Sequence, residues 1–221
     1  MRKLRDAIKQ PLVEERGSMV PLVTALITMA VLVILPMVWN TGAIRAIRRQ
    51  SQNSSDAAAH AGAEAVARQL NNMSRDWWGC IPPETPQTIV GRYLGTVVTP
   101  IAAGQVGYGS AASFASQNRG SLISYAQHLH PMGPDGVHAK MVDGVVIPPI
   151  HVNLRASSPV RGALELAIYD VNGTPLYSGA TGEAYLDRVR TWTTPCPYNP
   201  TKAIARHYQF TWKVRLVRTG W

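Results

Sequence analysis

Hydrophobic and polar positions divide this 221-residue chain into three regimes. From Met19 to Trp39 nearly every residue is Val, Leu, Ile, Met, Ala or Thr, and residues 17–44 carry no formal charge. A helix needs ~20 apolar residues to cross a hydrocarbon core, whereas the buried helix of a soluble domain is shorter and shows a polar face. The run therefore predicts a membrane span over about 19–40. Pro21 lies in its first turn, where a missing N–H removes little, and Pro36 predicts a kink near the far end. A cleaved secretory peptide, with Thr41-Gly42-Ala43 as its nearest small-residue site, requires a shorter apolar core than this one.

From Ile44 the composition stays helical but turns amphipathic. Arg45, Arg48, Arg49, Gln52, Asn53 and Asp56 supply polar positions, and Ala57, Ala58, Ala59, Ala61, Ala63, Ala65 and Ala67 are small, strong helix formers. Asn71, Asn72 and Ser74 read as an ending. Residues 18–75 are thus predicted as one long helix, with the span followed by an Ala-rich stalk over 44–72. That stalk is open to two readings: an ordinary surface helix after an anchor, or a close-packing rod whose small-residue face meets other copies.

The third regime begins at Arg75-Asp76-Trp77-Trp78, where Pro82, Pro83 and Pro86 exclude helix. Thr88 to Val98 reads as an irregular β-branched strand, Gly104 to Ser110 as a loop, and Ala111 to His130 as helical. Asp143-Gly144 and Asn172-Gly173, each between apolar runs, predict hairpins, the second joining 163–169 to 176–178. Val152 to Ala156 adds a strand. Tyr208, Phe210, Trp212, Val214 and Leu216 alternate with His207, Gln209, Thr211, Lys213 and Arg215, the period of a half-buried strand. The expected class is α+β: a long N-terminal transmembrane and stalk helix, then a β-rich, mainly antiparallel head over 76–221.

The order Glu15-Arg16-Gly17, an apolar run with internal Leu35-Pro36, an Arg-rich turn, and then Gln52-Asn53-Ser54-Ser55-Asp56-Ala57-Ala58-Ala59-His60-Ala61-Gly62-Ala63 resembles the N-terminal region of TadE/TadG-like proteins. These are pilin-like membrane components of the tight-adherence (Flp type) pilus machinery. The resemblance covers about a quarter of the chain and implies a non-catalytic protein with a cytoplasmic leader over 1–17. It also implies a single pass through the cytoplasmic membrane, a C-terminal domain outside it, and a structural or assembly role in surface attachment. The implied partners are the lipid bilayer, other pilin-like subunits through the Ala-rich helix, and the pilus assembly machinery. Gly17-Ser18 matches the processing junction of type IV-like prepilins, but Leu22 stands where processed pilins carry Glu, which favours members that stay anchored uncut. The rival reading is an anchored envelope binding module, adhesin or scaffold, outside any filament.

Charge adds to this picture mainly by its location. The formal net charge is +9. Arg188, Arg190, Lys202, Arg206, Lys213, Arg215 and Arg218 form an acid-free C-terminal stretch, a candidate basic surface for an anionic ligand. The bland alternative is a solvated face or a contact with an acidic neighbour, and no specific nucleic-acid signature accompanies the charge. Arg2, Lys3, Arg5, Lys9 and Arg16 favour a cytoplasmic N-terminus, although Arg45, Arg48 and Arg49 on the other flank narrow the difference. With the distal domain in an oxidising compartment, Cys80 and Cys196 are a candidate disulfide, and two unrelated buried thiols are the alternative.

Candidate chemistry is sparse. His128, His130 and His138, with Asp135 and Asp143, are the one metal-like cluster, and an exposed turn-rich loop explains them equally well. No nucleophile elbow, zinc-protease helix or phosphate loop occurs. No cofactor and no catalytic residue is expected.

Overall fold

The computed structural model describes residues 2–130, 139–157 and 177–218, with side chains described from Met19 onward apart from Asn40 and Arg218. Among these the element order is α1 (Arg2–Met73), β1 (Trp77–Ile81), α2 (Pro86–Tyr93), a π-helical turn (Leu94–Val98), α3 (Thr99–Ala102), α4 (Tyr108–Gln117), β2 (Ser121–Leu129), β3 (Lys140–Val142), β4 (Val145–Ile147), β5 (Ile150–Ser157), β6 (Ser178–Pro195) and β7 (Ile204–Arg218). The chain divides into two compact units, Met1–Ala46 and Ile47–Trp221.

The first unit is the N-terminal part of α1. Its apolar side chains point outward, with Met29 71% and Trp39 73% exposed. The few polar groups among them are satisfied within the helix. Thr24 and Thr28 donate to the carbonyls of Val20 and Thr24, at 2.8 and 2.7 Å, and Thr41 donates to that of Met37 at 2.8 Å. Such back-bonding leaves these hydroxyls no call on water, which is what a hydrocarbon environment demands.

The second unit is a five-stranded, wholly antiparallel sheet of order β1-β7-β6-β5-β2, with the β3–β4 hairpin as a separate ribbon. One sheet face carries the core. Residues 47–73 of α1 lie on that face, and Ala58, Ala59, Ala63, Val66 and Leu70 are fully buried. Small residues are needed here because the helix backbone runs close to the sheet: a Cβ at Gly182 of β6 would sit 2.3 Å from the Ala59 carbonyl oxygen. Within the predicted stalk over 44–72, the small-residue face is thus buried against the sheet. The second compact unit begins at Ile47, and the alanine face is occupied by the chain's own sheet. Substituting Gly182→Val is expected to cost about 3 kcal/mol, because the clash is with backbone that cannot step aside; a lower midpoint in urea unfolding of the purified protein would register it.

Polar groups in this contact are mutually satisfied. Ser51 and Ser55 hydroxyls both meet the Ser178 hydroxyl, and Ser178 is bonded in turn to the carbonyls of Ser51 and Ala156. At the helix end, Asn71 donates to the Trp212 carbonyl at 3.1 Å and accepts from its N–H at 2.7 Å, which fixes α1 to β7. Tyr93 stacks on Phe210 with centroids 3.9 Å apart. Its hydroxyl bonds to Ser74 at 2.7 Å and accepts from the Trp212 indole at 2.8 Å. Burial pushes this phenol up to about 12, against the opposing pull of those two bonds. Tyr93→Phe leaves the Trp212 indole N–H without its acceptor, and a loss of about 1–2 kcal/mol is expected in the same unfolding measurement.

Two elements differ from the expectation. Residues 88–98 are helical, not a strand. Thr85 caps α2 by accepting from the Thr88 N–H, and Pro86 sits in the first turn, where proline is favoured. Ile89, Val90, Tyr93, Val97, Val98 and Ile101 are buried at helical spacing, so the β-branched composition concealed a period near 3.6. Ser121–Leu129, expected to be helical, is edge strand β2; a register shift between Leu122 and Ser124 interrupts its alternation and hides the period of two. The Asp143-Gly144 hairpin forms, with φ of 44° and 82° at its two central residues. The hairpin expected around Asn172-Gly173 lies outside the described residues.

Candidate functional site

Gly17 and Ser18 fall within α1, and their side chains lie outside the described residues. Cys80 and Cys196 are joined as a disulfide, with Cα atoms 5.6 Å apart and a sequence separation of 116. Cys80 is on β1, at one sheet edge, and Cys196 follows β6 at the tip of the β6–β7 hairpin. The bridge ties the shortest sheet strand, directly after α1, to the end of the longest hairpin.

The six basic residues whose side chains are described differ in their surroundings. Arg206 is in register with Gly79, on the core-bearing side of β7 with Tyr208. It pairs with Asp143 at 3.3 Å, and Asp143 also accepts from the Tyr208 hydroxyl. That carboxylate and burial together raise the Tyr208 phenol well above its ordinary value, burial being the larger cause. Lys213 pairs with Asp187 at 3.0 Å and Arg215 with the fully buried Glu183 at 2.8 Å. Lys202 is exposed in the turn between β6 and β7. The Arg218 side chain lies outside the described residues. Arg188 and Arg190 remain: both are exposed on β6, and no carboxylate lies within ion-pairing reach of either among the described residues.

Beside them is an arrangement the sequence did not announce. Trp78 of β1, His207 of β7 and Trp192 of β6 stand in register across three neighbouring strands, on the face opposite Tyr208, Phe210 and Trp212. Their rings overlap in succession: Trp78 to His207 is 5.8 Å and His207 to Trp192 is 5.1 Å between centroids. The Arg190 guanidinium lies 5.6 Å from the Trp192 ring, within cation–π range. His207 is held by Asp76 at 3.0 Å on Nδ1 and by the Thr194 hydroxyl at 2.8 Å on Nε2. The available signal was the alternation Arg188, Arg190, Trp192 on one strand; the strand pairing that brings Trp78 and His207 beside it has no local trace.

The histidine cluster takes a different form from the expected one. His128 and His130 of β2 and its end meet His151 of β5, not a residue near His138, which with Asp135 lies outside the described residues. Asp143 is engaged elsewhere, as above. The His130 and His151 rings stack at 4.3 Å with an interplanar angle of 14°, so their lone pairs run parallel and do not converge on a common ion. No group of three His, Cys, Asp or Glu able to hold a metal occurs among the described residues. Burial, reinforced by His151 and then His130, lowers the His128 pKa from its ordinary 6.5. The unfolded chain then takes up this proton at about pH 6.5 while the native one resists it, so stability falls as pH drops below that value until the lowered native pKa is passed. Urea midpoints at pH 7.5 and 5.5 are expected to decline in that order, and His128→Gln to narrow the difference.

An outward-facing apolar helix, a small-residue helix face seated on an antiparallel sheet, and a disulfide define a class: an α+β protein with, among the described residues, one helix long and apolar enough to cross a membrane. Residues 17–67 match the family model described as "Putative Flp pilus-assembly TadE/G-like". The chain therefore carries a TadE/G-like segment over 17–67. No curated protein and no solved structure matches it.

Proposed function

We propose that this protein is a membrane-anchored, pilin-like component of a Tad/Flp-type pilus, with a structural or assembly role in surface attachment and no catalytic one. The apolar part of α1 lies in the cytoplasmic membrane, the leader on its inner side and the sheet domain outside. The observation that carries this reading is the family match over 17–67, which takes in both the apolar run and the small-residue face that seats on the sheet. The disulfide supports the same topology, since such bonds persist in oxidising compartments. Its partners are lipid, the assembly machinery and other pilin-like subunits. Because the alanine face is already occupied, contacts with those subunits fall to the exposed apolar run and to the outer surfaces of the sheet domain.

The test is extraction and terminal sequencing of the native protein. Retention in carbonate-washed membranes, and protection of the sheet domain until the outer side is opened to protease, are the expected results; recovery of the intact chain from the soluble cell interior would defeat the proposal. Leu22 favours a second reading, an anchored binding module that never enters a filament. Sheared surface filaments containing the chain with Ser18 as its first residue would exclude that alternative, and an intact N-terminus confined to the membrane fraction would favour it.

A further inference from the structure

We propose that the Trp78–His207–Trp192 ladder with Arg188 and Arg190 is a seat for an acidic polysaccharide, one whose sugar rings carry carboxylates. The inference rests on the sheet domain lying outside the membrane, as proposed above, and names what its outer face recognises.

The register places all five side chains on one face. Trp78 and Trp192 each oppose His207, while Arg190 opposes Gln209 and Arg188 opposes Thr211. The three rings bridge β1, β7 and β6, two inter-strand spacings or ~10 Å. None of these five side chains belongs to the hydrophobic core. Trp78 is 38% exposed, and Arg188, Arg190, Gln209 and Thr211 are all exposed. One exposed indole beside two half-buried rings, interleaved with hydrogen-bonding groups, matches an amphipathic partner. The C–H face of a sugar fits the exposed indole of Trp78, and sugar hydroxyls fit Gln209, Thr211 and the Asp76 carboxylate.

Charge selects the kind of sugar. Arg206, Lys213 and Arg215 each have an internal acid, whereas among the described residues Arg188 and Arg190 do not. A guanidinium presents a planar fork matched to carboxylate, and packing over Trp192 holds that of Arg190 in place before any ligand arrives. Single-stranded nucleic acid also combines stacking with cations, but it needs positive groups along its whole track. Here the two arginines stand on β6 alone, and the middle ring of the ladder, His207, is bonded to the carboxylate of Asp76. That mixture of charge suits a polymer of hydroxyl-bearing rings with intermittent acids and opposes a continuous phosphate backbone.

Full-length protein in detergent micelles, titrated with polygalacturonate, dextran and oligo-dT and followed by calorimetry and tryptophan fluorescence, tests the proposal. Polygalacturonate is expected to bind and to quench indole emission, more tightly at low salt, with dextran and oligo-dT much weaker. Arg190→Gln is expected to weaken binding about tenfold, the scale of one charge-assisted hydrogen bond, and Lys202→Gln to leave it unchanged. Trp192→Ala is expected to abolish it, with an unchanged circular dichroism spectrum as the control for folding. Absence of polygalacturonate binding, equal affinity for dextran, tighter binding of oligo-dT, or indifference to Arg188→Gln/Arg190→Gln would each overturn the assignment. None of these results bears on membrane retention or N-terminal sequencing, so the pilus reading stands or falls separately.

Discussion

A fragment starting at Asp76, where the composition of the chain changes, is expected not to fold, whereas a fragment starting at Ile47 is expected to unfold cooperatively. The difference lies in residues 47–75, which cover the inner sheet face. Removing them deletes Val66 and Leu70, both fully buried, at about 1.5–3 kcal/mol each. It also opens Tyr93, Val152, Ala184 and Trp212, the core residues around that helix. Asn71, which holds the Trp212 backbone, goes with them. Against a total stability of about 5–15 kcal/mol for a domain, a loss of that size leaves no folded state. Circular dichroism and amide-exchange protection of the two fragments decide the matter; a protected, cooperative Asp76 fragment would mean that the sheet carries its own core.

The second large effect is expected from the disulfide. Cys80→Ser with Cys196→Ser releases a crosslink of sequence separation 116, and loss of such a bond typically costs about 2–5 kcal/mol. The strain falls on β1, five residues long and paired on one side only, to β7. Exchange protection in the doubly substituted protein is thus expected to drop first at Trp77–Ile81, and the urea midpoint to fall with it. A midpoint unchanged from the parent would show that β1 is held by its hydrogen bonds and by the Arg92 contacts to Glu84 and the Trp78 carbonyl alone. Since Trp78 belongs to the aromatic ladder, a reduced protein is also expected to bind acidic glycan less well than the oxidised one.

How much of this was legible in advance depended on range. The apolar run of 19–39 announces itself because length and composition alone decide whether a helix can lie in lipid. The alternation of Tyr208, Phe210 and Trp212 with His207, Gln209 and Thr211 did predict β7, because a strand with one buried face writes its period into the sequence. Asp143-Gly144 likewise encodes its own turn. Residues 88–98 and 121–129 were harder. In the first, β-branched residues concealed a helical spacing; in the second, a bulge shifted the alternation.

The alanine segment marks the limit most clearly. Its sequence determined that Ser51 to Leu70 would be a helix with a small-residue face, and left open an ordinary surface helix or a rod packing on other copies. That the face meets the chain's own sheet was decided only by tertiary structure, since the answer lies in Gly182 and Ser178, more than a hundred residues away. The same holds for the aromatic ladder and the basic residues: the sequence supplied the cations and the rings, and strand register determined which cations met an acid and which were left facing solvent beside a tryptophan. Local chemistry is written along the chain, but pairing across strands depends on burying many side chains at once, and no single segment contains that sum.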